Sequence, residues 1–201
     1  MARKEFLILT PTRFYWALLR LADKIKSSGY EPEVIVAIAR GGVMVARFLC
    51  DMLSVEREDE IEIRFYSGVG TRYKEPKVVR GLKSPLELSG RKVLIVDDVV
   101  ETGSTLSLAK KIVKESGASK IKSAVLYVKP WAKVVPDYYF KVTDRWVVFP
   151  HEYGELISML AEEYKGISEE GLVIYIKRRT KLPLKVIKPL IRMLMIDKGI
   201  V

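Results

Sequence analysis

The chain has 201 residues, 49% of them hydrophobic, with a mean hydropathy of +0.09, enough for one substantial core and a small appendage. One cysteine and one histidine exclude an intrachain disulfide and any metal site built from Cys and His, so a metal would need oxygen donors, which points to Mg²⁺. A net charge of +10 favours polyanionic partners such as phosphorylated sugars, nucleotides or nucleic acid. No apolar run reaches the roughly 18 residues of a membrane span, and Met1 to Leu9 holds no secretory apolar segment, so a reducing cytoplasm is expected.

Glu5 to Leu9 reads as a short strand. Thr10-Pro11 supplies a cap and a first-turn proline, and the helix over Thr12 to Ser28 closes at Gly29. Val34 to Ile38 is an unbroken apolar run of the kind buried on both faces of a parallel sheet. It delivers Ala39-Arg40-Gly41-Gly42 directly before a helix over Val43 to Leu53. Two glycines at such a turn let backbone approach an anion, and Arg40 adds charge. Cys50 sits on the apolar side of that helix and reads as a core residue. Ile61 to Tyr66 alternates as a strand. Ser67 to Ser89 is a long polar connection carrying Arg72, Lys74, Lys77 and Arg80, suited to a phosphate-contacting cover or to a hairpin with a solvated tip.

Val93 to Val96 is the second buried-type strand, and Asp97 and Asp98 stand where it would end. Ligands of open α/β sheets bind at carboxyl ends of strands. Val99, Val100 and Glu101 follow, then Thr102-Gly103-Ser104-Thr105 and a helical pattern over Leu106 to Ser116. A hydroxyl-lined glycine turn opening a helix offers N–H groups and a positive dipole end to one phosphate. This stretch resembles the phosphoribosyl pyrophosphate (PRPP) motif of type I phosphoribosyltransferases: two acids, two hydrophobics, an acid, then Thr-Gly and small hydroxyl residues. The Arg40 turn resembles that family's pyrophosphate loop.

Lys120 to Val128 is a further strand, ending at Lys129-Pro130-Trp131, and Arg145 to Pro150 carries Trp146 and Val147. These segments resemble the base-binding part of bacterial and archaeal xanthine-guanine and hypoxanthine phosphoribosyltransferases. The likeness runs over residues 5 to 153. It implies a Rossmann-like central parallel sheet flanked by helices, with a small hood, and a domain over 1–153. It implies a base site of Lys129 at the exocyclic oxygen of a 6-oxopurine, Trp146 stacked on the ring and the Val147 backbone at its edge. Pyrophosphate would lie at Arg40, Gly41 and Gly42, and the 5′-phosphate at Glu101, Thr102, Gly103, Ser104 and Thr105. Asp97, Asp98 and Glu101 would be catalytic, with Asp97 and Asp98 holding Mg²⁺. His151 receives no role.

The reaction implied joins PRPP and a purine to give a nucleoside 5′-monophosphate and pyrophosphate, in a homodimer or higher homo-oligomer. One position departs: 6-oxopurine users carry Asp where this chain has Glu101, so an adenine-using enzyme on the same scaffold is the alternative. An alternative of another class is a PRPP- or purine-sensing regulator that binds nucleic acid. Residues 154–201 read as a small helical extension built around Leu156, Leu160, Leu172, Ile176, Leu190 and Leu194, expected to serve dimerisation or to cover the active site, with only a faint likeness to a helix-turn-helix module.

Overall fold

The computed structural model describes residues 5–67, 74–163 and 168–197. The chain divides into two compact units: Met1–Phe14 with Arg145–Val201, and Tyr15–Asp144.

The larger unit is a six-stranded sheet. Its strands are β2 (Val34–Ala39), β3 (Arg57–Ser67), β4 (Lys74–Arg80), β5 (Lys92–Val100), β6 (Lys120–Val128) and β7 (Tyr138–Val142). Strand β1 (Phe6–Ile8) belongs to the other unit. The order across the sheet is β4-β3-β2-β5-β6-β7, all parallel except the antiparallel β3–β4 pair. Helix α1 (Pro11–Ser27) leads into this unit. The chain then passes from β2 to β3 through α2 (Gly41–Leu53) and from β5 to β6 through α3 (Ser104–Glu115). Those two crossovers run in opposite directions from the sheet's middle. Right-handed crossovers therefore place α2 and α3 on opposite faces. The packing agrees: Val34, Val36, Ile38, Val93 and Ile95 pack with Leu106, Ala109 and Val113 of α3. Ile35, Leu94 and Val96, which point the other way by the two-residue period, are equally buried. Strands covered on both faces have no polar side, which is why their sequences read as unbroken apolar runs.

One element differs from the sequence reading, and another settles the choice it left open in favour of the hairpin. Strand β5 does not stop at Val96. Asp97, Val99 and Val100 stay paired in register with Val125, Tyr127 and Val128, so the acid pair lies inside the strand. The long connection after β3 contains β4, a charged edge strand whose Pro76 is tolerated because an edge has one unpaired side. Of its four cations, Arg72 lies outside the described residues, and Arg80 is engaged by Glu60 at 2.8 Å and Glu62 at 3.9 Å.

Cys50 is buried as expected. Burial, and then the carboxylate of Glu58 at 3.5 Å, push its thiol up to about 12, so it is protonated and inert near neutrality.

Strand β7 is tied to β6 by Asp137. Its carboxylate accepts from the Ser123 amide (2.9 Å), the Ser123 hydroxyl (2.8 Å) and the ammonium groups of Lys122 (2.7 Å) and Lys110 (3.4 Å). Burial alone would raise its pKa, but these donors outweigh burial and hold the carboxyl below its ordinary range. A depressed folded-state pKa stabilises above the unfolded value, about 3.9, and the gain is lost as pH falls through the folded value. Asp137→Asn should cost about 1–2 kcal/mol at neutral pH, and thermal melts should show the gap to wild type narrowing once pH falls below about 4.

The smaller unit pairs β1 in parallel with β8 (Trp146–Val148) and continues into α4 (Tyr153–Glu163), α5 (Glu169–Thr180) and α6 (Leu184–Asp197). Leu156, Leu160, Leu172 and Ile176 form its core with Ile187 and Ile191, and Leu190 and Leu194 pack at the margin. Val148 and Tyr153 share that core, so residues on both sides of position 153 fold together here. Ser168 caps α5 by accepting from the Gly171 amide at 3.3 Å. Val173 to Ile176 lie within the helix α5.

Candidate functional site

The strand order reverses direction between β2 and β5, and such a switch point opens a crevice at the carboxyl ends of the two strands. Two of the marked segments start there. Arg40, exposed, and Gly41-Gly42 follow β2 directly and open α2; the Ala39–Arg40 peptide is cis. Glu101 and Thr102 follow β5 and lead into α3.

The two segments meet. A Cβ built on Gly41 would land on the carboxylate of Asp98, and one on Gly42 would come within 2.6 Å of the Val96 carbonyl oxygen. Gly42 cannot be larger while the loop lies against β5, and Gly41 can be larger only if the Asp98 side chain turns away. Asp98 is half-buried and Asp97 is buried. The Asp97 carboxylate accepts from the Asp98 amide at 2.9 Å, and that of Asp98 from the Val99 amide at 2.7 Å. Burial pushes the Asp97 carboxyl well above its ordinary range, and the adjacent Asp98 charge adds to this.

At the end of β5, Gly103 has φ +91° and forms the N-cap of α3. Its Cβ position is filled by Val134, 2.5 Å away, so glycine is required there on two grounds. The Thr102 and Ser104 hydroxyls lie 3.0 Å apart and both residues are exposed. Thr105 is half-buried in the first helical turn, whose amide donors have no intrahelical acceptor. The turn therefore presents hydroxyls and N–H groups together, as a phosphate requires.

The segment after β6 closes on the same place. The Lys129 amide donates to the Val100 carbonyl (2.9 Å), and that of Lys133 to the Thr102 carbonyl (3.0 Å). Lys129 is 7% exposed, and its ammonium sits 5.6 Å from the centroid of the Trp131 ring. The Trp131 indole N–H donates to the Glu101 carboxylate at 3.0 Å. The sequence reading passed over Trp131; an aromatic two residues beyond a lysine at a strand end was the signal available.

Arg40, Gly41, Gly42, Asp97, Asp98, Glu101, Thr102, Gly103, Ser104, Thr105 and Lys129 are thus all carried by neighbouring strand ends of one sheet. Trp146 and Val147 belong to the smaller unit, on β8. There Trp146 is 40% exposed with its ring tilted against Phe6 at 6.3 Å, and Val147 is buried.

A 34% identical match over 125 residues, 61% of this chain and 70% of the relative, is to a xanthine-guanine phosphoribosyltransferase of Gluconobacter oxydans. One of the same description from Cereibacter sphaeroides is 28% identical over 67% of this chain and 75% of its own. Among solved structures, a purine phosphoribosyltransferase from Pyrococcus horikoshii superposes with a TM-score of 0.65 at 37% identity, covering 73% of this chain and 93% of that one. The family described as the phosphoribosyl transferase domain matches residues 8–157. With that match and this α/β sheet, the chain belongs to the phosphoribosyl transferase family and is a pentosyl-transferring glycosyltransferase.

Proposed function

We propose that the chain is a purine salvage enzyme, joining PRPP and a 6-oxopurine (hypoxanthine, guanine or xanthine) to give a nucleoside 5′-monophosphate and pyrophosphate. The observation that carries this is the grouping of Lys129, Trp131 and Glu101 where β5 and β6 end, beside the hydroxyl turn and the acid pair. A buried ammonium suits the exocyclic oxygen of a 6-oxopurine, and the relatives named above act in the same chemistry.

In this reading Arg40 and the backbone of Gly41 and Gly42 receive pyrophosphate, and Thr102 to Thr105 hold the 5′-phosphate so that the anomeric carbon stays in line. Cleavage at that carbon builds oxocarbenium character, by analogy with glycoside chemistry. Asp97 and Asp98 orient the ribose side. Glu101 holds the proton at N7 of the base, and Lys129 fixes its exocyclic oxygen. Trp146 supplies a stacking surface and the Val147 backbone an edge contact.

A divalent cation fits the donor set. Asp97 and Asp98 are adjacent, oxygen-only and mutually repelling, and Asp97 is starved of solvent, so a hard cation would relieve both acids. Mg²⁺ held by Asp98 and Asp97 would, when bound, offset charge on the departing pyrophosphate. The reading also includes a cytoplasmic location, a homodimer or higher homo-oligomer, a catalytic domain over 1–153 and an extension over 154–201. No helix of the described residues is long and apolar enough to cross a membrane.

Adenine is the alternative base, because Glu101 reaches one methylene further than the usual Asp and its carboxylate is drawn to Trp131. Nucleotide formation from PRPP with adenine, hypoxanthine, guanine and xanthine, alongside uracil and orotate, tests both. Turnover with a 6-oxopurine well above adenine is expected. Turnover with adenine alone would transfer the reading to the alternative, and turnover with only a pyrimidine would overturn it.

A further inference from the structure

The smaller unit ends in a surface that the transfer reaction does not use. Between Gly171 and Ile196 the sequence holds seven lysines and arginines (Lys177, Arg178, Arg179, Lys181, Lys185, Lys188 and Arg192) and no acidic residue. Among the described residues, no ion pair is made by Arg178, Lys181, Lys185, Lys188 or Arg192, although basic residues such as Arg64, Arg80 and Lys122 do form them. Five like charges are therefore held near one another without a direct ion-pair partner, and a bound polyanion would relieve their repulsion.

The local structure holds that surface rigid. Helices α5 and α6 pack on each other through a three-residue turn, Lys181-Leu182-Pro183. The Thr180 hydroxyl accepts from the Leu182 amide at 3.2 Å, and Lys177 donates to the Leu182 carbonyl at 2.8 Å. Lys177 is thus committed to the turn and is not counted among the five. Along α6, Lys185, Lys188 and Arg192 are spaced three and four residues apart, so they share one face over about 10 Å. Ile187 and Ile191 face the other way, buried in the bundle core. An open groove of about 710 Å³ runs between α5 and α6, with Lys177, Arg178, Lys188 and Arg192 on its walls and Glu169 and Glu170 also lining it from the first turn of α5.

We propose that α5, the turn and α6 form a docking surface for the phosphate backbone of a nucleic-acid duplex, with the basic face of α6 against the phosphates. Two helices joined by a three-residue turn, the second presenting its outer face, form the arrangement that reads duplexes elsewhere. Two other occupants suit the surface less. A second copy of this chain would bring like charges face to face across a two-fold axis. A membrane surface would need a broad apolar face, whereas on α6 Ile187 and Ile191 are buried in the core and, among the described large apolar side chains, only Leu184 and Met193 stand exposed, apart from each other. The inference is independent of which base the transferase uses.

The test is binding of the full chain to short DNA and RNA duplexes of random sequence, followed by fluorescence anisotropy over a salt series. Wild type should bind at low salt. Lys185→Ala/Lys188→Ala/Arg192→Ala, all at exposed positions, should bind about tenfold or more weakly, with the slope of log affinity against log salt reduced by about 2–3. A charge-matched control, Lys26→Ala/Lys111→Ala/Lys114→Ala, should keep the wild-type slope, and both variants should keep the wild-type melting temperature. Preference for either duplex type supports the proposal and names the polymer. Equal weakening by the control, no binding to either duplex at low salt, or capture by anionic vesicles in place of duplexes would each overturn it.

Discussion

Glu101→Gln should lower kcat by about 100-fold or more while leaving the affinity for PRPP within a few-fold of wild type. The amide keeps the size of the side chain and still accepts from the Trp131 indole, as the carboxylate does at 3.0 Å. Only the capacity to take or hold a proton is lost. Pre-steady-state turnover with a 6-oxopurine, set beside PRPP binding by calorimetry, separates the two effects. Equal loss of turnover and affinity would make Glu101 a phosphate-side residue instead. Trp131→Phe gives the complementary result: the carboxylate loses its donor but keeps its charge, so kcat should fall much less than in Glu101→Gln.

The second large effect sets two neighbouring glycines apart. Gly42→Ala would press a methyl to 2.6 Å from the Val96 carbonyl oxygen and 3.1 Å from the Asp97 Cα. Both are backbone atoms of a central strand and cannot step aside. A cost of roughly 1–3 kcal/mol follows, which at this chain length is about 2–4 °C of melting temperature per kcal/mol. At Gly41 the obstacle is the Asp98 carboxylate, the far end of a side chain that can rotate. Gly41→Ala should therefore melt close to wild type while losing most of its transfer activity, because the acid is turned from its place. Calorimetric melts and initial rates on both variants check this; a Gly41→Ala enzyme of full activity would mean Asp98 has no orienting role.

The parts of this architecture that could be read from the sequence are those where local pattern and burial agree. Val34 to Ile38 and Val93 to Val96 are apolar without a break because sheet neighbours and a helix layer cover both their faces. The Thr102 to Thr105 turn was legible because a glycine with positive φ and hydroxyl residues serve one local purpose. The helices of the smaller unit followed from their spacing. What escaped depends on partners distant in sequence. The continuation of β5 through its acids is set by register with Val125 to Val128. Strand β4 was legible only as one of two choices, a hairpin or a cover, because at an edge it carries charges in place of an apolar rhythm. The Trp131–Glu101 bond joins residues thirty positions apart, and the seat of Asp98 over Gly41 joins residues still further apart. Residue type announces candidates, and strand order decides which of them become neighbours.

The seclusion of Cys50 has a practical consequence. With a thiol lifted to about 12 and tucked within α2, thiol-directed reagents should find nothing to react with in the native protein. As the chain has one cysteine, and it lies in the sheet-bearing unit, the rate of its alkylation becomes a clock for opening of that unit alone. Added PRPP would slow that clock only by steadying the strands that grip it.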